Sequence, residues 1–206
     1  MPPRVFVLSP ADCRGVRARI LLRQKAAFPL ACRLRTETGA PLGEVFAFLS
    51  GLYFRGKLAY ARRFASAPDG RTPILVITPG EGLRPADEPI TVPRLRAYGR
   101  VTVDPARRRY RDPVLRDLAA LVAWMDDDAE VVLLGSLATE KYVSLLAPAL
   151  GSRLRAPAAF VGLGDMARGG LLLRCVREDR ELDYRSVAGP LRSPGARTGL
   201  GRQARG

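Results

Sequence analysis

The sequence predicts an α/β protein with a single mixed sheet, flanking helices, a C-terminal β-hairpin and a disordered basic tail. Short runs of aliphatic and β-branched residues, bounded by proline or glycine, alternate with longer amphipathic segments. Ile74–Ile77, for example, lies between Pro73 and Pro79, which is typical of a strand buried on both faces. From the length of 206 residues we expect one domain over residues 1–190 and the tail over 191–206.

The first elements follow from apolar periodicity and capping residues. Val5–Leu8 is predicted to be a strand, and Asp12 is placed to cap a helix over Gly15–Ala27. Arginines crowd this helix, and they form either a solvated basic face or a surface that follows phosphates. Under the second interpretation, Arg14 and Arg17 contact phosphate groups.

Two segments near the middle of the chain carry candidate ligand-binding residues. Lys57 lies among tyrosines and glycines, where a lysine can approach a phosphate or a carboxylate as a compact charge. After the Ile74–Ile77 strand, Gly80 and Gly82 allow positive φ and a close approach of the backbone to a ligand. Because open α/β sheets bind ligands beyond the carboxyl ends of their strands, this turn is a candidate site. The alternative is a structural turn without chemistry.

The next segment combines a basic run with a well-marked helix. Val101–Val103 is predicted to be a short strand. Arg107–Arg111, with its interleaved tyrosine, suits contact with a nucleic-acid backbone and stacking on bases, or else forms a solvated loop. Asp112 then caps a helix with Pro113 at its first position and an apolar stripe that ends at Met125.

The C-terminal part is predicted to contain further strands. Val131–Leu134 leads through a Gly-Ser turn at residues 135–136 into a helix, whose free N–H groups either bind an anion or are merely capped. Ala158–Val161 is predicted to be a strand, and Leu171–Val176 is predicted to form an antiparallel hairpin with Leu182–Val187.

Charge is the strongest global signal in the sequence. The formal net charge is +14 and the isoelectric point is near 10.9, which favours polyanions such as nucleic acid or phosphorylated ligands. Arginine greatly outnumbers lysine. The nucleotide composition of the genome explains this preference, but it does not explain why basic residues outnumber acidic residues. An acidic protein partner is a third way to use the same surface.

Several classes of site are excluded by composition. The chain has no histidine, which rules out a Ser-His-Asp triad, a Cys-His dyad and a His/Cys zinc site. Cys13, Cys32 and Cys175 are an odd, widely spaced set, as expected for reduced thiols in a cytoplasmic protein. We expect no cofactor and no metal. We also expect no membrane partner, since there is neither a signal peptide nor an apolar stretch of about 18 residues.

Several motifs, in order along residues 4–176, resemble the YaaA family of bacterial peroxide-stress proteins. The matching segments are Ser9–Ala11, Ser50–Tyr53, Gly82–Asp87, Pro93–Leu95, Gly135–Tyr142 and Ala167–Gly169. The resemblance implies a mixed α/β protein that binds DNA and helps protect cells from oxidative damage, and RNA stays open as the alternative polymer. It implies no established catalytic mechanism.

Two functional hypotheses follow for a cytoplasmic protein. The first is nucleic-acid binding with little base specificity, through phosphate contacts from Arg14, Arg17, Arg107, Arg108 and Arg109. The alternative is an enzyme acting on a nucleotide, nucleoside or modified base, with Glu81 or Asp87 transferring protons because histidine is absent. The ligand-binding residues of that enzyme are Ser9, Tyr53, Lys57, Gly80, Gly82, Arg84, Arg94, Ser136 and Arg168.

Overall fold

The computed structural model describes residues 3–66, 73–137 and 140–187, and its main feature is a mixed β-sheet. The strands are β1 (Arg4–Leu8), β2 (Ala40–Pro41), β3 (Ile74–Thr78), β4 (Gly82–Pro85), β5 (Pro89–Ile90), β6 (Glu130–Leu134), β7 (Leu154–Pro157) and β8 (Tyr184–Ser186). Six of them form one sheet in the order β4-β3-β1-β6-β7-β8, and β2 pairs with β5 separately. The predicted α/β class with a mixed main sheet is confirmed.

The order of the strands creates a topological switch point. Strands β1, β3, β6 and β7 run parallel, whereas the edge strands β4 and β8 are antiparallel to their neighbours. The chain leaves β1 toward β3 on one side of the sheet, and it leaves β6 toward β7 on the other side. The carboxyl ends of β1 and β6 therefore flank the place where open α/β sheets bind ligands.

Helices cover both faces of the sheet. They are α1 (Val16–Leu21), α2 (Pro29–Leu34), α3 (Leu42–Ser50), α4 (Leu52–Phe64), α5 (Val92–Tyr98), α6 (Arg108–Trp124), α7 (Glu140–Leu150) and α8 (Asp165–Arg177). Phe6 and Leu8 of β1 point into one core, with α4 and α8, while Val5 and Val7 point into the other, with α6 and α7. This alternation follows from the period of two along a strand and explains why β1 is apolar on both faces.

The predicted C-terminal hairpin is wrong, because its first half is helical. Leu171–Val176 belongs to α8, where Leu172 and Cys175 are fully buried in the same core as α4. The second half does contain a strand, β8, which pairs with β7. The predicted basic tail, residues 191–206, lies outside the described residues.

Three smaller predictions of secondary structure also need correction. A short 3-10 segment occupies Ala158–Phe160 because the preceding residues already form β7, so the predicted strand over Ala158–Val161 is displaced. Val101–Val103 is irregular rather than a strand. The helix predicted over Gly15–Ala27 ends at Leu21, and a separate helix begins at Pro29.

The helix after the arginine run begins earlier than predicted. A turn that begins at Asp104 precedes this helix. The Asp104 carboxylate accepts a hydrogen bond from the Ala106 N–H (2.9 Å), and the Asp104 carbonyl oxygen accepts one from the Arg107 N–H (2.9 Å). Arg107 is consequently the N-cap of α6, and Pro113 lies inside the helix instead of at its start. The arginine run thus forms the first turn of a helix rather than a loop.

Candidate functional site

The loops that follow the carboxyl ends of β1 and β3 border a cavity of about 330 Å³, here named the carboxyl-edge cleft. Its lining comes from the loop after β1, the turn after β3, the segment between α5 and α6, and the start of α7. The residues are 10–14, 79, 98, 101–103, 141 and 142. The cleft has the volume of a site for a small ligand and lies at the topological switch point.

Lys57 is buried beside Ser9, the residue that directly precedes the cleft-lining Pro10. The side chain is 1% exposed, and its Nζ donates hydrogen bonds to the Ser9 carbonyl oxygen (2.7 Å) and to Ser9 Oγ (2.9 Å). Burial lowers the pKa of Lys57 to about 7, although the charge of Asp165 acts in the opposite direction. Within the described part of the chain, Lys57 forms no ion pair. A neutral amine beside a serine hydroxyl can accept its proton.

Aromatic rings surround the Lys57 amine. Its Nζ lies 4.6 Å from the ring centroids of both Tyr53 and Phe54, which are neighbours on α4. The Tyr53 hydroxyl is buried and donates no hydrogen bond to a described residue. Burial raises the pKa of Tyr53 to about 12, while the charge of Arg168 and a side-chain contact with its guanidinium, which can only donate, act in the opposite direction. The Tyr53 O–H is therefore free to donate in the interior of the site.

Tyr142 and Arg168 complete the group. Tyr142 lines the carboxyl-edge cleft; burial and the charge of Asp165 raise its pKa to about 12, opposed by a hydrogen bond with Ser9. Arg168 is buried and donates from Nε (3.3 Å) and Nη2 (3.1 Å) to the Phe160 carbonyl oxygen. Ser9, Tyr53, Lys57, Tyr142 and Arg168 are called the Ser9 cluster below. It draws on α4 and α8 from one face of the sheet and α7 from the other.

Close contact between α4 and α8 brings the cluster together. An added Cβ on Gly56 would lie 2.7 Å from the Gly169 carbonyl oxygen, and one on Gly169 would lie 2.8 Å from Tyr53 Cα. Such distances leave no room for a side chain, so glycine is required at both positions. Gly169 directly follows Arg168, and Gly56 directly precedes Lys57. This crossing therefore fixes the position of the Arg168 guanidinium relative to the Lys57 amine.

Charged residues lie at the mouth of the cleft. Arg14, Lys141 and Asp12 line it with exposed side chains, and Arg14 pairs with Asp12 at 3.8 Å. The start of α6 is adjacent, since an added Cβ on Gly80 would lie 3.0 Å from Val101 in the cleft wall and 3.8 Å from the Arg109 carbonyl oxygen. Arg17, by contrast, donates from Nη1 to the Phe48 carbonyl oxygen (3.1 Å) near the end of α3.

Glu81 makes no described contact with the Ser9 cluster and is instead held behind the cleft-lining Tyr98. Its carboxylate accepts hydrogen bonds from Arg94 Nη2 (2.6 Å) and from the hydroxyl of Tyr98 (2.8 Å), a residue that lines the cleft. Burial raises the pKa of Glu81, but hydrogen bonds from Arg94 and Tyr98 outweigh it and lower the net value. Arg94 also pairs with Glu88 (2.5 Å). An ionised, fully paired carboxylate is suited to support rather than to proton transfer.

The remaining predicted residues of the β3–β4 turn also serve other contacts. Asp87 is exposed and pairs with Arg62 (2.6 Å). Arg84 borders a surface hollow beside α6, where its Nε is buried without a partner among the described residues. Gly82 has φ of +80°, and an added Cβ would lie 2.5 Å from the Pro113 carbonyl oxygen. The predicted glycine-rich loop is therefore mainly the turn of a hairpin packed on α6.

The structure thus brings together four of the predicted ligand-binding residues: Ser9, Tyr53, Lys57 and Arg168. Ser136 lies one residue beyond β6, half-buried, at the same edge of the sheet. Tyr142 was missed, although it falls in a segment that resembles a family motif. Its only sequence signal is helical spacing from Leu145 and Leu146, which does not separate a site tyrosine from a core tyrosine.

The thiols and possible metal ligands add no further group to the site. Burial and the charge of Asp12 raise the pKa of Cys13 to about 12, so this cleft-lining thiol stays protonated. Among the described residues, no three Asp, Glu or Cys side chains are grouped to hold a metal ion. In the same part of the chain, no helix has the length and apolarity needed to cross a membrane.

Comparison with known proteins yields no relative from which a function could be transferred. No protein-family model, curated protein sequence or solved structure matches the chain significantly. The resemblance to the YaaA family therefore stays a prediction based on the quoted motifs, and the function has to be argued from the site.

Proposed function

We propose that the protein is an enzyme acting on a nucleotide, nucleoside or modified base bound in the carboxyl-edge cleft. The observation that carries this proposal is Lys57, a buried amine without a described ion-pair partner that touches Ser9 at the topological switch point. Burying an amine is costly, and a structural hydrogen bond to Ser9 would not need a cation-forming group. Perturbed ionisable groups in a cleft are typical of functional sites.

An anionic ligand is supported by the rim, where two cations outnumber the one carboxylate, that of Asp12. Arg14 and Lys141 line the cleft and are exposed, and the excess of basic residues over the whole chain adds a long-range attraction for phosphates. The cleft volume of about 330 Å³ suits a nucleoside-sized ligand whose phosphate lies at the mouth.

Calorimetric titration with nucleobases, nucleosides and nucleoside mono-, di- and triphosphates at low salt tests this proposal. We expect binding of the phosphorylated compounds, and an Arg14→Gln/Lys141→Gln variant should weaken it at least about tenfold, since hydrogen bonds to charged groups contribute ~1.5–3 kcal/mol each. Arg174→Gln/Arg177→Gln is the control, since both exposed arginines lie in the last turn of α8. If no compound of the panel binds the wild-type protein, the proposal is wrong.

A second candidate is nucleic-acid binding, favoured by the placement of the arginine run. Arg107, Arg108 and Arg109 stand at the start of α6, where no acidic residue is present in the first turn and the helix dipole disfavours positive charge. Arg107 and Arg108 are 68% and 86% exposed and pair only loosely, at 3.7 Å and 3.5 Å, with Asp104 and Asp112. Charges placed at a cost to stability and open to solvent are available for phosphates. The resemblance to the YaaA family supports DNA as this polymer, and with it a stress-response role in the cytoplasm.

For this candidate we expect replacement of the three α6 arginines by glutamine to weaken DNA binding uniformly across sequences. The slope of log affinity against log salt concentration should become shallower, by an amount that corresponds to the loss of up to about three phosphate contacts. The thermal midpoint should not fall, because the charges oppose the helix dipole. Arg174→Gln/Arg177→Gln/Arg180→Gln is the matched control. Equal salt slopes for the two triple variants would exclude the start of α6 as the DNA-binding surface.

A further inference from the structure

The Ser9 cluster contains the parts of a nucleophilic site that needs no histidine. A serine becomes a nucleophile when an adjacent base accepts its proton, and a lysine serves as that base only when it is neutral near physiological pH. Lys57 Nζ lies 2.9 Å from Ser9 Oγ, within the distance for direct proton transfer. The second contact of the amine, with the Ser9 carbonyl oxygen at 2.7 Å, fixes its orientation toward the hydroxyl.

On the premise that the cleft admits the proposed nucleotide-type ligand, we infer that Ser9 is the nucleophile and Lys57 the general base of an acyl-transfer reaction. The substrate is then an ester or amide carried by that ligand.

The proposed reaction forms and breaks one acyl bond in each half. Ser9 Oγ attacks the carbonyl carbon while its proton passes to Lys57 Nζ. The bond to the leaving oxygen or nitrogen then breaks, and the leaving group takes the proton from Lys57, which leaves an acyl ester on Ser9. Water attacks this ester and gives a proton to Lys57, the carboxylic acid departs, and the proton returns to Ser9 Oγ.

The surroundings favour a carbonyl over a phosphate as the reacting group. The Lys57 amine lies over the rings of Tyr53 and Phe54, and an anionic phosphate beside it would raise its pKa and keep it protonated. A neutral carbonyl leaves the amine free to accept a proton and costs less to transfer from water. The phosphate of the ligand instead matches the exposed cations at the cleft mouth.

Tyr53 is positioned to assist this reaction. Its buried hydroxyl donates to no described residue and lies beside Lys57, so it can donate to the oxygen that becomes negative as Ser9 attacks. Tyr142 both lines the cleft and interacts with Ser9, so it marks the point at which the cleft approaches the nucleophile.

Two other features were weaker candidates for a site. The hollow of about 640 Å³ between α2 and α5 is open, and none of the described residues that line it is a buried polar group. The exposed Val161 and Met166 lie near the start of α8, but nothing in the structure indicates what would cover them.

The experiment is covalent labelling of the full chain with an alkyl fluorophosphonate, followed by intact mass measurement and peptide mapping. We expect one adduct on Ser9, with a labelling rate that rises with pH through an apparent pKa near that of Lys57. Lys57→Met should slow labelling by about 100-fold or more, as loss of a general base does. Ser50→Ala removes an exposed serine at the end of α3 and should change nothing.

The early time course of p-nitrophenyl acetate hydrolysis gives an independent test that needs no variant. A burst of p-nitrophenol equal to the protein concentration would support an acyl-enzyme on Ser9. Absence of both adduct and burst from wild-type protein that binds nucleotides overturns the nucleophile inference and leaves the proposed function standing. An adduct on Ser9 in protein that binds no compound of the nucleotide panel supports the pair and overturns the ligand class instead.

Discussion

The free energy of unfolding should rise by about 2 kcal/mol between pH 6 and pH 8.5 because of Lys57 alone. Its pKa is about 7 in the folded protein and 10.5 when exposed, so in this window the unfolded chain binds a proton that the folded protein does not. Stability therefore increases with pH above 7, and the penalty for charging the buried amine is fully present below 7. Extended to pH 10.5, the contribution of Lys57 reaches about 4 kcal/mol.

Urea titrations at intervals of pH measure this dependence directly. The window is favourable because the chain has no histidine, the side chain that normally titrates there. Above pH 9 the buried Cys13, whose pKa is raised to about 12, acts in the opposite direction, since the unfolded chain loses a proton that the folded protein keeps.

Two variants separate Lys57 from other groups in this measurement. Lys57→Met should abolish the rise, although it also removes the Lys57 hydrogen bond to the Ser9 carbonyl oxygen and costs about 1–3 kcal/mol throughout. Lys25→Met removes an exposed lysine between α1 and α2 and should preserve the rise. If wild-type protein and Lys57→Met show parallel curves, Lys57 is charged in the folded state, and the proton-accepting role of the amine is lost with it.

Local sequence patterns were sufficient to predict the central strands. Runs such as Ile74–Ile77 and Val131–Leu134 are β-branched, aliphatic and too short for a buried helix, so their prediction as strands is confirmed. Leu171–Val176 is also mainly apolar but is helical, and Arg174 interrupts the run. Leu172 and Cys175, three residues apart, are buried in the core with α4, whereas Arg174 is exposed, which is the period of a helix rather than of a strand.

The site could be predicted only in pieces. Ser9 and Lys57 were each proposed as ligand-binding residues, but their contact joins positions 48 residues apart and depends on where α4 crosses β1. Glu81 was proposed as a proton-transfer residue because its glycine-rich turn follows a strand. Nothing local indicates that Arg94, in α5, pairs with this carboxylate across the turn. Such pairings are tertiary, and spacing along the chain does not encode them.

Replacing Gly169 with alanine should destabilise the protein by at least about 2 kcal/mol, since overpacking a tight interface costs ~1–3 kcal/mol or more. The new methyl group would lie 2.8 Å from Tyr53 Cα and 2.9 Å from the Leu52 carbonyl oxygen, both backbone atoms that cannot rotate away. Relief requires α8 to move from α4, which separates Arg168 from Tyr53 and Lys57. We therefore expect Ser9 labelling to fall together with stability.

Gly170→Ala is the matched control on the same helix. An added Cβ at Gly170 meets nothing within 4 Å, and alanine in place of a helical glycine stabilises by about 0.5–1 kcal/mol. Compared with wild type, thermal denaturation should thus give a lower midpoint for Gly169→Ala and a higher midpoint for Gly170→Ala. If Gly169→Ala lost stability but kept the full rate of Ser9 labelling, the α4–α8 crossing would support the fold without positioning the Ser9 cluster. If both variants matched wild type, the close crossing itself would be wrong, and with it the geometry that links Arg168 to Lys57.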